Sequence, residues 1–314
     1  MSINDLTSML TDPLMQRALI AAILVGLAAP VVGTYLVQRR LSLLGDGIGH
    51  IALTGVALGW LIANVMALTP NDVLALPGAV VAAVVGAVAI ELVREHGKTS
   101  GDVALALLFY GGIAGGVLLI KAAGGTSANL VGYLFGSIST VTSTDVVMTV
   151  VLAALILVVG VGLRTALFAV SHDEEFAIAS GLPVRTLNVA IAVIAALTVT
   201  VAMRVVGVLL VSALMIVPVA IAQLTARSFR GTMRLAMAIG VVVCIVGLTF
   251  TYFQDYSPGA TIVVLAIALY AVVAVARPLF ARQRWHDPHP DVADDVELTR
   301  DRSEAAPEDQ EARR

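Results

Sequence analysis

Long apolar runs separated by short polar breaks dominate the chain. A helix crossing a bilayer needs roughly 17–25 mostly apolar residues. Runs of that length fall at about 14–37, 43–68, 73–93, 103–121, 146–164, 187–203, 205–226, 235–253 and 259–277. In lipid every backbone polar group must find a partner within the protein, so each run predicts a helix. The pattern therefore predicts an all-α, polytopic integral membrane bundle of about nine transmembrane helices, or eight if one run is re-entrant or interfacial.

Four stretches depart from simple spans. Gly124–Asp145 is rich in Gly, Ser and Thr around a short apolar core, Leu130–Phe135, which suits a short outer helix or a re-entrant segment. Asn188–Leu224 is too long for one helix and must turn back near Arg204–Gly207, with Pro218 kinking its second arm. Between Ser171 and Leu187 lies the longest break. Its acidic opening (Asp173, Glu174, Glu175) complements a helix dipole, and Gly181 and Pro183 stop that helix. This predicts a short amphipathic cytoplasmic helix with nothing of its own to pack on. Its negative start disfavours the negative cytoplasmic leaflet and favours a protein partner. The tail from Trp285 to Arg314 is rich in Pro, Asp and Glu, a composition expected to be disordered. The organisation expected is a membrane domain over 1–284, with its longest cytoplasmic connection at 171–187, and an acidic cytoplasmic tail over 285–314.

Composition agrees: 59% of the 314 residues are hydrophobic and 13% charged, against about 45–50% and 25% in soluble domains. The net charge of −3 hides an asymmetry, because the tail alone carries −6 and leaves +3 elsewhere. Those positive residues cluster at alternate junctions: Arg39 and Arg40, then Arg94, His96 and Lys98, then Arg164, then Arg227, Arg230 and Arg234, then Arg277, Arg282 and Arg284. The positive-inside rule then puts the N-terminus outside and the C-terminus in the cytoplasm, with Lys121 and Arg204 as outer exceptions. The first thirteen residues carry no positive charge and do not resemble a signal peptide. A single cysteine, Cys244, excludes disulfides and thiolate clusters within one chain.

Chemistry concentrates in Ser42–Gly59, SLLGDGIGHIALTGVALG. Asp46 and His50 are four apart and share one helix face, and Ser42 and Thr54 extend the same row. Gly45, Gly47, Gly49, Gly55 and Gly59 leave the flanking faces open to close helix approach. An ionised Asp at a helix centre costs about 2.5–3.5 kcal/mol on insertion scales, so it must face protein or water. A carboxylate beside an imidazole is a ligand pair for a divalent metal. Plainer readings stay open: Asp46 as the cap of a helix starting at Gly47, and His50 as a hydrogen-bond partner of a neighbouring helix. His286 and His289 in the tail are read as solvated.

Several motifs are missing. Gly97, Lys98 and Thr99 resemble the end of a phosphate-binding loop, but its first glycine would fall at Leu92 and no strand precedes it. Neither G-x-S-x-G nor H-E-x-x-H occurs. The chain offers no catalytic residues and is not read as an enzyme; if nucleotide powers it, the ATPase is another chain. No internal repeat is evident, which argues against an inverted-repeat secondary transporter.

With these residues in place the chain resembles the permease subunits of ABC-type zinc and manganese importers, which sometimes carry iron. Four blocks carry the likeness: RRLSLLGDGIGHIALTGVALG (39–59), GKTSGDVALALLF (97–109), DEEFAIASGLPV (173–184) and VVGVLLVSALMIVPVAIAQLTARSF (205–229). Gly49 and Val219 depart from the family's usual Ser or Ala and Ala, and neither is a proposed ligand. The resemblance implies a permease moving Zn2+ or Mn2+ as substrate, with no cofactor bound by this chain and ATP used by a partner subunit. It places Asp46 and His50 on the translocation path and matches Asp102 to an acidic residue of a cytoplasmic turn. It assigns Asp173, Glu174, Glu175, Ala177 and Gly181 to the loop that meets the ATPase. Implied partners are two ATP-binding subunits, an extracytoplasmic metal-binding protein and a second permease copy, in the cell membrane and without nucleic acid. Imidazole tilts the choice of metal slightly to zinc. The rival is a proton-coupled secondary metal transporter in which the same pair relays protons. Two ligands are too few for one cation, and a two-fold axis would supply four.

Overall fold

The computed structural model describes residues 8–69, 72–96, 101–125, 127–137, 141–204, 206–254 and 256–281. By compactness the chain divides into Met1–Val275 and Ala276–Arg314. The expected tail, its two histidines, Gly97–Thr99 and Asp255 lie outside the described residues.

Twelve helices are labelled along the described residues: α1 (Pro13–Gln38), α2 (Leu44–Val65), α3 (Ala75–His96), α4 (Gly101–Ala122), α5 (Ser127–Phe135), α6 (Ser143–Gly162), α7 (Arg164–His172), α8 (Glu174–Ala179), α9 (Val184–Ala202), α10 (Val208–Thr225), α11 (Phe229–Phe253) and α12 (Pro258–Ala281). Nine of them, all but α5, α7 and α8, are long and apolar enough to cross a membrane. The chain is a polytopic helical membrane protein.

Helix ends follow local chemistry. Asp12 caps α1 by accepting from the Leu14 amide at 2.9 Å, with Pro13 in the first turn. Thr142 and Asp145 form a reciprocal capping box at α6. Ser228 accepts from the Gly231 amide and starts α11 six residues before the apolar run at 235. Its first two turns take in Arg230 and Arg234, which hydropathy alone assigns to a loop. Between α9 and α10 the chain reverses at 203–207, where expected. Gly207 has φ 89°, and a Cβ there would strike the Leu134 carbonyl oxygen. Pro218 sits inside α10, as Pro30 does inside α1.

α1 and α9 are the most buried spans, and α4 and α12 the least. Close approach rather than hydrophobic drive holds helices together in lipid. α1 meets α10 at Gly33, where a Cβ would overlap the Met215 carbonyl, and meets α11 at Gly26 against Gly240. The Tyr35 hydroxyl donates to the Gly160 carbonyl and ties α1 to α6.

Candidate functional site

The glycines of α2 serve three neighbours. Gly45 and Gly49 face Ser212 and Val208 of α10, Gly47 faces Leu105 of α4, and Gly55 and Gly59 lie on the backbone of Gly78 and Leu74 beside α3. Since α2 turns 100° per residue, Asp46 and His50 stand between the faces given to α10 and α4. Asp46 is half-buried in the first turn of α2. The helix begins at Leu44, so Asp46 lies within it and does not cap a helix from Gly47. It stands near a helix end rather than a helix centre, where the dipole favours its charge and the insertion cost is lower than expected.

His50 is one turn further along and 3% exposed. Its ring meets Phe109 of α4 edge-on with centroids 4.4 Å apart, and its Nδ1 has no hydrogen-bond partner among the described residues. A hydrogen bond to a neighbouring helix is therefore not what holds the Nδ1 face. α4 comes so close that a Cβ at Gly112 would stand 2.6 Å from the His50 carbonyl carbon. The expected polar row is shortened at both ends. Ser42 precedes the helix, and Thr54 donates to the Gly112 carbonyl at 2.8 Å, bolting α2 to α4. Among the described residues no group of three or more His, Cys, Asp or Glu gathers, so one copy brings together the pair alone. Asp102 falls in the first turn of α4.

The 171–187 segment is more anchored than its sequence predicts. Asp173 caps α8 through the Phe176 amide. Glu174 accepts from Asn188 Nδ2 of α9 at 3.1 Å and lies 3.9 Å from the Arg39 guanidinium. Ala177 is fully buried, so it seats α8 on the bundle and presents nothing outward. The expectation that this helix packs on nothing is corrected: one small side chain, one hydrogen bond and one ion pair hold it. Phe176 and Ile178 are 65% and 61% exposed beside the exposed Glu175, and Gly181 turns the chain out at φ 76°.

Sequence reasoning missed a second constellation at the other end of α9. Arg204, noted only as an exception to the charge rule, has a side chain 10% exposed that lies 3.5 Å from Asp145 and 4.0 Å from Asp72. It also lies over the Tyr133 ring, 5.2 Å from its centroid. Tyr133 meets Trp60 edge-on, and burial raises its phenol pKa against the lowering pull of Arg204. Ser257 Oγ donates to the Phe135 carbonyl at 2.9 Å. The short helix α5 is thereby fastened to α2, the α9–α10 turn and the start of α12. A lone basic residue at a junction that the charge rule leaves unexplained was the signal in the sequence.

The model of the ABC 3 transport family matches residues 11–277. The chain belongs to the ABC 3 transport family. This ABC 3 transport protein is 31% identical over 264 residues to the manganese transport system membrane protein MntC of Halalkalibacterium halodurans, covering 84% of this chain and 87% of the relative. It is also 31% identical to the chelated iron transport system membrane protein YfeD of Yersinia pestis, covering 87% and 89%. Among solved structures it is similar to PsaBC from Streptococcus pneumoniae in complex with Fab, with a TM-score of 0.76 and 31% identity over 87% of this chain and 95% of that one. The ABC 3 transport protein is thus a membrane permease of an ABC-type metal importer, a transporter and not an enzyme.

Proposed function

We propose that this permease moves a divalent first-row metal ion into the cytoplasm along a path lined by Asp46 and His50, with manganese ahead of zinc. The observation that carries the reading is the unpartnered imidazole nitrogen of His50, buried one turn from a half-buried carboxylate. A neutral imidazole and a carboxylate suit both metals. The slight preference of imidazole for zinc is outweighed because relatives bear manganese in their names. One chain offers two side-chain ligands, so a second copy across a two-fold axis completes the site with two more.

The rest of the assembly follows from the two ends of the bundle. An external binding protein delivers metal near 121–145 and 254–259. Two ATP-binding subunits dock on the 173–184 segments, where Glu175, Phe176 and Ile178 stand outward. ATP binding and hydrolysis shift those segments and alternate access to the path, with the N-terminus outside and the C-terminus in the cytoplasm. The metal leaves chemically unchanged.

Reconstitution of the complete complex tests this directly. Manganese should enter vesicles only with ATP, with zinc competing. Asp46→Ala and His50→Ala should each abolish uptake while leaving insertion and ATPase assembly intact. Wild-type uptake by either variant would remove that residue from the path. Uptake that persists without the ATPase and collapses with the proton gradient would instead favour a proton-coupled carrier.

A further inference from the structure

The side chain of Arg39, the residue that closes α1, is 6% exposed, yet it faces carboxylates from two other elements. Glu91 of α3 lies 3.8 Å away and is itself held by Arg94 at 2.9 Å. Glu174 of α8 lies 3.9 Å away on the other side and also accepts from Asn188 at the head of α9. Burial lowers the guanidinium's pKa, Glu91 and Glu174 raise it again, and Arg94 adds to the lowering. Arginine stays charged under such opposing pulls.

The two halves of this arrangement differ in strength. Glu91 is buried, so its pairing with Arg39 and Arg94 is costly to break. The Glu174 side chain is about half exposed, and solvent screens its attraction to Arg39. The outer pair is therefore able to open and re-form while the inner one persists. From Arg39 the chain passes through Arg40, whose φ is 58°, directly into α2, with Asp46 in the first turn. A displacement of α8 that is felt at Arg39 reaches the head of the helix carrying Asp46 and His50 within seven residues.

We propose that Arg39 is the positioning residue that links α8 to the head of α2 through its ion pair with Glu174. The proposal rests on the importer reading above and adds the route by which the nucleotide cycle reaches the path. Arg39 touches no cargo in this scheme. It converts movement of the coupling helix into movement of the turn at 39–43.

The test uses the full complex in vesicles, with ATP hydrolysis and manganese uptake measured in the same sample. Arg39→Gln and Glu174→Gln should each lower the ions moved per ATP by about two- to thirtyfold, the range that such networks carry. The ATPase should remain bound in both. The double variant should be no worse than the poorer single variant, because both remove one interaction. Arg39→Lys, which keeps the charge but not the planar fork, should recover part of the ratio. An unchanged ratio in Glu174→Gln, whose inner ion pair is intact, overturns the proposal; so do effects that multiply in the double variant, or loss of assembly as the sole defect. If the wild-type complex moves no metal, the importer reading fails first. Wild-type transport with an undiminished ratio in both variants removes the role of Arg39 alone.

Discussion

His50 and Gly112 act as a pair. The imidazole edge lies on Phe109 while the backbone of the same residue is touched by a glycine one turn further along α4. Gly112→Ala should push α4 from α2 by several tenths of an ångström, because the obstructing atoms are backbone and do not rotate away. Uptake should fall about tenfold or more, since site geometry tolerates little displacement; unchanged uptake would show that this approach is dispensable. Protons compete with metal for the imidazole, so uptake limited by binding at His50 should weaken as the pH is lowered through the range in which that ring takes up a proton. His50→Gln should flatten whatever uptake remains across that range. At the opposite end, Arg204→Gln strips the buried Asp145 of its cation. Breaking such a pair costs about 3–5 kcal/mol, and Asp145 also holds the α6 capping box. A lowered unfolding midpoint in detergent is the expected reading, and Arg204→Lys should restore part of it.

At the scale of elements, two short helices matter as much as the spans. α8 shows Phe176 and Ile178 outward and sets Ala177 inward. Phe176→Asp should reduce co-purification of the ATPase subunit while leaving the permease folded, because this side chain touches little of its own chain. Ala177→Leu should act from the other side by overfilling the seat and lifting α8 away from Arg39. Glu174 and Glu175 separate on this view: the first is turned to the bundle and the second to the partner. α5 is clamped where the α9–α10 turn passes beneath it, and Gly207 is the closest contact. Any side chain there meets both an unfavourable φ and the α5 backbone, so Gly207→Ala should loosen this end of the bundle.

Taken whole, the molecule has a largely shielded arginine at each end of α9, a helix of 19 residues and so about 28 Å long. Arg39 gathers α1, α3, α8 and α9 at one end, and Arg204 gathers α5, α6 and the approach to α3 at the other. Asp46 and His50 lie on α2, whose first turn is near the former and whose Trp60 reaches the cluster of the latter. The proposed site needs two copies, so the purified complex should retain one metal ion per two permease chains. Metal analysis against protein mass checks this, and a full ion per chain would make each copy self-sufficient.

Much of this was written in the residue order. Lipid forbids unpaired backbone, so nine apolar runs determined nine helices, and the i, i+4 spacing of Asp46 and His50 put them on one face before any packing was known. Short polar breaks with Gly207 or Gly181 located the turns. Packing decided the remainder, because partners distant in sequence carry no local signature. Only the folded chain placed Arg39 between Glu91 and Glu174, turned Ala177 inward, and gave Thr54 to Gly112 rather than to a polar row. It also showed that Arg204, an anomaly to the charge rule, stands between two carboxylates, because a cation so shielded from water is tolerated only where opposite charge from other elements converges on it.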